Sequence, residues 1–135
     1  MGCKVTAVNS KTINRAISIA MALCPTNREM RTSHVAFLVR SGKIRNIGIN
    51  KCKTHPSSLL YPYPSYRLAA LHAELDVCLK SGVEDLSDFE MIVLRVDREN
   101  KLANSRPCVG CRGVIKQFGI KNVFYSDQEG DVVKL

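Results

Sequence analysis

Three residues of this chain are suited to hold a metal ion, and a fourth is suited to move protons beside it. His72 is followed two residues on by Glu74, and Cys108 and Cys111 lie three apart within Pro107-Cys108-Val109-Gly110-Cys111. One imidazole and two thiolates make three zinc ligands, one short of a closed structural site. Zinc held by three protein ligands keeps its fourth position for water, which is the mark of a catalytic centre. Two thiolates and a neutral imidazole leave such a centre near neutral, and its water is still acidified. Glu74 can take the proton from that water and deliver it to a substrate nitrogen, as base and then as acid. Taken singly, His72 reads as a packing histidine and the Cys-x-x-Cys pair as a closed zinc clip or a redox pair. The combination, with a proline before the first cysteine, is far more specific.

The elements that must position these residues follow from periodicity. A first helix is expected over Thr12 to Cys24, with an apolar stripe at spacings of three and four, a cap at Ser10 or Thr12, and Pro25 as its stop. Val35 to Val39 reads as a strand buried on both faces. Ser41-Gly42 turns the chain into a second strand, Lys43 to Ile49. Asn50 to Ser65 is a long connection whose prolines exclude regular structure. A second helix is expected over Arg67 to Lys80, with Gly82 as its stop. Glu90 to Val96 is a third strand, and Arg98 to Arg106 a polar loop. Pro107 opens a third helix that ends at Gly119. Asn122 to Ser126 is a fourth strand, and a turn returns Asp131 to Lys134 as a short antiparallel edge.

That order predicts an α/β protein: a sheet of about five strands covered by helices on both faces, with parallel strand-helix-strand units from the second strand onward. Both halves of the ligand set fall at predicted helix starts. Helices begin beyond the carboxyl ends of parallel strands, where the sites of such sheets gather. The helix dipole there favours thiolates. Positions two apart do not share a helix face. His72 and Glu74 can therefore serve one water only if His72 stands in the first, open turn.

The chain has 135 residues, which is room for one domain with a real core. No run of 18 apolar residues exists, so no membrane span is expected. Met1-Gly2-Cys3-Lys4 leads into no secretory-type segment, and the expectation is a cytoplasmic protein. Cys24 and Cys78 fall on apolar helix faces and read as small buried hydrophobes. Cys3 and Cys52 have no assigned role. The net charge is +8, from 20 Lys and Arg against 12 Asp and Glu. It suits phosphates on a nucleotide or a polynucleotide, or simply solubility.

With His72-Ala73-Glu74 and Pro107-Cys108-Val109-Gly110-Cys111 in place, the chain resembles the cytidine deaminase-like superfamily over almost its whole length. The resemblance implies a three-layer α/β/α sandwich around a mixed five-stranded sheet, with residues 1–135 as one catalytic domain. It implies zinc bound by His72, Cys108 and Cys111, with Glu74 as proton shuttle. The implied reaction is hydrolytic deamination of a cytosine-containing nucleoside or nucleotide to the uracil form with release of ammonia. Gly48-Ile49-Asn50 looks like the Gly-x-Asn of deoxycytidylate deaminases, where the asparagine binds sugar and base. The backbone at Ala73 is then expected to contact the base amino group. Pro107 to Arg112, followed by Phe118, looks like the free-nucleoside enzymes, which have cysteine where this chain has His72. Histidine there is usual in deaminases of deoxycytidylate, of tRNA adenosine and of polynucleotide cytosine.

Tyr61, Tyr63 and Tyr66 are expected at the pocket mouth, either stacking on a base with Lys51, Lys53 and Arg67 meeting phosphate, or packed as a loop on the scaffold or a partner subunit. His55 is a further candidate substrate contact. Three functions compete: a deaminase of a small nucleoside or nucleotide, a deaminase of single-stranded DNA or RNA, and a non-catalytic zinc-bound nucleic-acid-binding domain. Glu74 argues against the last, since a structural site has no use for a carboxylate there. A homo-oligomer is expected from the relatives, with Val123, Phe124 and Val132 as contact material, and no membrane partner.

Overall fold

The structure, a computed structural model, describes residues 8–23, 33–50 and 72–135. The expectations for His55, Tyr61, Tyr63, Tyr66, Lys51, Lys53, Arg67 and the cysteines at 3, 24 and 52 lie outside those residues. The described elements are α1 (Ser10–Leu23), β1 (Ser33–Arg40), β2 (Lys43–Ile49), α2 (Ala73–Ser81), β3 (Glu90–Val96), β4 (Leu102–Ala103), α3 (Val109–Gln117), β5 (Asn122–Ser126) and β6 (Val132–Lys134). No helix among them is long and apolar enough to cross a membrane.

The strands form a mixed sheet in the order β2-β1-β3-β5-β6, with β4 attached to β3. β1 runs antiparallel to both β2 and β3, so β2 and β3 point the same way with β1 between them. β3 and β5 are adjacent and parallel across α3. The expected parallel units are therefore present in direction, but only the second joins neighbouring strands.

Alternation along the central strands builds two cores. Val35, Phe37, Val39, Ile92 and Leu94 face α1 and pack with Ala16 and Ala20. Ala36, Leu38, Met91 and Val93 face α2 and α3 and pack with Leu75, Cys78, Val114 and Phe118. A sheet with helices on both faces is the three-layer α/β/α arrangement. The fully buried run from Val35 to Val39 arises because β1 is central and covered on both sides. Val123 belongs to the second core, and the partly buried Phe124 and Val132 pack against the first.

Several boundaries differ from the periodic reading, each for a local reason. The cap of α1 is Asn9, whose Oδ1 accepts from the Thr12 N–H at 3.0 Å. The Thr12 hydroxyl instead donates to the Gly42 carbonyl at 2.9 Å, tying α1 to the β1–β2 turn. Ser41 and Gly42 both take positive φ, 54° and 75°, the two-residue geometry that suits the right-handed twist of a hairpin. The polar stretch after β3 also contains order. Asp97 Oδ1 accepts from Glu99 and Lys101 N–H groups, and this turn returns the chain as β4 against Arg95 and Val96.

Candidate active site

Two helix N-termini meet above the sheet face that α2 and α3 cover. α2 begins at Ala73, and His72 is its cap in extended conformation, φ −74° and ψ 149°. The expected helix from Arg67 is thus corrected: no helix runs through His72. The reason is the chemistry already anticipated, because an extended His72 leaves the helix axis and lets Glu74 approach from another side. α3 begins at Val109 with Cys108, not Pro107, as the residue before it. The Cys108 sulfur accepts from the Cys111 N–H at 3.4 Å, so an N–H donor and the helix dipole both favour its thiolate.

These two ends bring the three expected ligands together. The donor atoms of His72, Cys108 and Cys111 all lie within 4.8 Å of one another. Zn–S of about 2.3 Å and Zn–N of about 2.05 Å at the tetrahedral angle separate nitrogen and sulfur by about 3.6 Å. His72 Nδ1 stands 3.3 Å from Cys111 Sγ and 3.7 Å from Cys108 Sγ. The donor set and its spacing fit tetrahedral zinc. Cys111 is fully buried while His72 and Cys108 are half-buried, so the cluster opens on one side.

Glu74 lies at that cluster, buried at 4 % exposure. Burial raises its carboxyl pKa, and the nearby Cys108 pushes the same way. Its own backbone N–H, His72 and a hydrogen bond with Cys111 act against that rise without cancelling it. The Cys78 thiol, one turn along α2, is pushed up to about 12 by burial and by the charge of Glu74, as an inert core residue would be.

β2 supplies the next wall. Gly48 allows α2 to sit directly on the strand: a Cβ there would stand 2.5 Å from Val77 N and 2.8 Å from the Ala73 carbonyl oxygen. Asp76 then accepts from the Ile49 N–H at 3.0 Å and pairs with Lys80 at 3.0 Å. Asn50 is buried at 6 % exposure. Its N–H donates to the His34 carbonyl at 3.3 Å, and its Oδ1 accepts from the His34 N–H at 3.0 Å. That bond fixes the amide, since only the oxygen can accept. Ala73 is buried as the first residue of α2, with its carbonyl over Gly48.

Other residues of this edge were not anticipated. The buried Ser105 and Ser126 hydroxyls lie 2.8 Å apart, with the Val93 carbonyl 2.7 Å from the first and the Ala103 carbonyl 2.6 Å from the second, and their two protons serve two of these three contacts. This clasp fixes the segment that leads into Cys108. His34 is partly buried at the start of β1, and burial lowers its pKa to about 4, helped by Arg95 and His72. Arg95 interrupts the apolar run of β3, and its buried Nε has no hydrogen-bond partner among the described residues. Such an orphan costs about 1–3 kcal/mol or more. The charged residue in a buried strand was the available signal.

No protein-family model matches the chain, and no curated protein sequence matches it. Solved structures do. The dCMP deaminase of the cyanophage S-TIM5 superposes with TM-score 0.58 at 20% identity, covering 90% of this chain and 86% of that one, and has also been solved with dCMP and dUMP. The cytidine deaminase of Burkholderia pseudomallei superposes with TM-score 0.54 at 21% identity, covering 87% and 90%. That of Mycobacterium leprae gives 0.52 at 21% identity, covering 87% and 88%. The chain has the cytidine deaminase-like fold.

Proposed function

We propose that this protein is a zinc-dependent hydrolytic deaminase that converts a cytosine-containing nucleoside or nucleotide to its uracil form. The observation that carries the reading is a cluster of three residues spaced to hold a metal ion, with a buried carboxylate, Glu74, against it. A closed structural site needs four protein ligands and no proton carrier. The similar solved structures are deaminases of dCMP and of cytidine, which supports cytosine as the base.

The reaction adds water to the ring carbon that bears the amino group, then breaks that carbon–nitrogen bond and releases ammonia. Zinc, when held by His72, Cys108 and Cys111, supplies the Lewis acidity that makes water nucleophilic near neutral pH. The chain's own part is proton transfer and orientation. Glu74 as carboxylate accepts a proton from the attacking water. Burial stabilises the resulting carboxylic acid, which then donates to the ring nitrogen and, after a second transfer, to the departing amine. Asn50, with its oxygen held by the His34 N–H of β1, is the proposed contact on the sugar side. Ala73 lines the base side. The aromatic loop of Tyr61, Tyr63 and Tyr66, with His55, is proposed to border the mouth.

A second reading, deamination of cytosine in single-stranded DNA or RNA, is favoured by the net charge of +8. The test is ammonia release by zinc-loaded protein from cytidine, deoxycytidine, CMP, dCMP and a cytosine-containing single-stranded oligonucleotide, with Glu74→Ala as control. Turnover of a monomer that Glu74→Ala abolishes while retaining zinc is the expected result. Turnover of the oligonucleotide alone selects the second reading. Zinc binding without turnover of any of the five refutes both.

A further inference from the structure

The row of polar residues beside the metal centre carries information about the substrate. In the β1–β3 register, Ala36 faces Val93 and Leu38 faces Met91, and these pairs belong to the core under α2 and α3. The next pair of that alternating row is His34 and Arg95. Directly opposed residues share a sheet face, so both side chains lie on the face that carries the ligand cluster, at the carboxyl end of β3. Asn50 extends the row from the end of β2 through its two bonds to the His34 backbone. The order across the strands is Asn50, His34, Arg95.

His34, paired across the strands with Arg95, lies within electrostatic reach of Arg95, His72 and Cys108. Arg95 Nη1 donates to the Asn104 carbonyl at 3.3 Å, its buried Nε is unpartnered, and no carboxylate pairs with it among the described residues. Asn104 also accepts, through Oδ1, from the Arg106 N–H at 3.1 Å, and the Arg106 guanidinium stacks on Tyr125 at 5.8 Å. Two guanidiniums thus flank one turn beside the site.

An arginine on this face with no carboxylate paired to it among the described residues suits an anionic ligand at its outer guanidinium nitrogens. In a nucleotide the phosphate lies one sugar away from the base. Here Arg95 stands on the sheet face of the ligand cluster, at the same end of the sheet. We infer that Arg95 is a specificity-determining phosphate anchor, and that the substrate is a cytosine nucleoside monophosphate rather than the free nucleoside. The inference rests on the proposed deaminase reading and assigns a substrate class within it. Arg106 adds a second positive charge beside the same turn.

The test compares zinc-loaded wild type, Arg95→Met and Arg95→Lys, with zinc content and thermal unfolding reported for each. Calorimetry measures the affinity of dUMP and deoxyuridine, and steady-state kinetics measure dCMP and deoxycytidine. Loss of one charge-assisted bidentate contact should weaken dUMP binding and raise KM for dCMP roughly 10- to 100-fold in Arg95→Met. Deoxyuridine and deoxycytidine should change less than about twofold, and Arg95→Lys should recover part of the loss, since lysine keeps the charge without the fork. Equal losses for nucleotide and nucleoside would overturn the inference, as would a wild type that binds dUMP no tighter than deoxyuridine. Dependence on Arg95 for an oligonucleotide but not for dCMP would also overturn it. Absence of all turnover removes the deaminase reading, while the dUMP–deoxyuridine difference still decides the anchor.

Discussion

The ligand corner and the polar row lie side by side, yet they are built by opposite means. The corner takes its residues from two short motifs at two helix starts. His72 and Glu74 are separated by a single residue, and Cys108 and Cys111 by less than one helical turn. The row takes Asn50, His34 and Arg95 from three strands, aligned only by sheet register. Chemistry that demands sub-ångström ligand spacing is kept local, where few backbone torsions can spoil it. Discrimination among substrates tolerates longer supports, and it rests on the sheet.

This contrast can be broken or sharpened by substitution. The largest effect is expected for Cys111→Ser, which removes a buried thiolate. Zinc affinity should fall by more than the roughly 10–100-fold typical of losing an outer partner, with activity lost in parallel, as metal analysis of purified protein would show. A variant that keeps stoichiometric zinc would sink the three-ligand assignment. Glu74→Gln comes next. It keeps shape and metal but carries no proton, so kcat should fall by about 10²–10⁴-fold with zinc content unchanged. Equal turnover in this variant would be incompatible with the proton-shuttle role.

Gly48→Ala tests the joint between the two regions. The added Cβ meets backbone at 2.5 Å and 2.8 Å, where neither atom can rotate away. Overpacking of this kind should cost about 1–3 kcal/mol in urea unfolding. An unchanged midpoint would mean that α2 can lift from β2 freely. Ser105→Ala is expected to be the mildest of the four, at about 1–2 kcal/mol, because the Val93 carbonyl and the Ser126 N–H lose their hydroxyl partner. If the clasp positions α3, this variant should also lower zinc affinity modestly. A stability loss with zinc affinity intact would confine Ser105 to folding.

Much of the frame was legible along the chain. β2, β3 and β5 match their periodic expectations, and β1 extends its expected run from Ser33 to Arg40. Gly82 closes α2 with φ of 70°, as its lack of a side chain suggested. The ligand set was legible because its spacing is nearly contiguous. What escaped notice depended on partners distant in sequence. Asn9 rather than Ser10 or Thr12 caps α1 because the Thr12 hydroxyl is claimed by Gly42, 30 residues away. The Ser105–Ser126 clasp joins residues 21 apart, with no pattern in either neighbourhood. β4 is two residues long and forms only because the Asp97 turn aims it at the free side of β3 beyond β5.

By itself the sequence determined which residues could carry the chemistry and where most of the helices and strands lie. Both follow from interactions within about one helical turn or one strand, which residue type and spacing encode directly. Only the tertiary structure decided that β1 would lie between β2 and β3, that His72 would cap α2 rather than ride within it, and that His34 and Arg95 would pair on the sheet face of the ligand cluster. These are outcomes of register and burial: one cross-strand pairing sets every side chain on a sheet face at once, and no local pattern specifies which pairing wins.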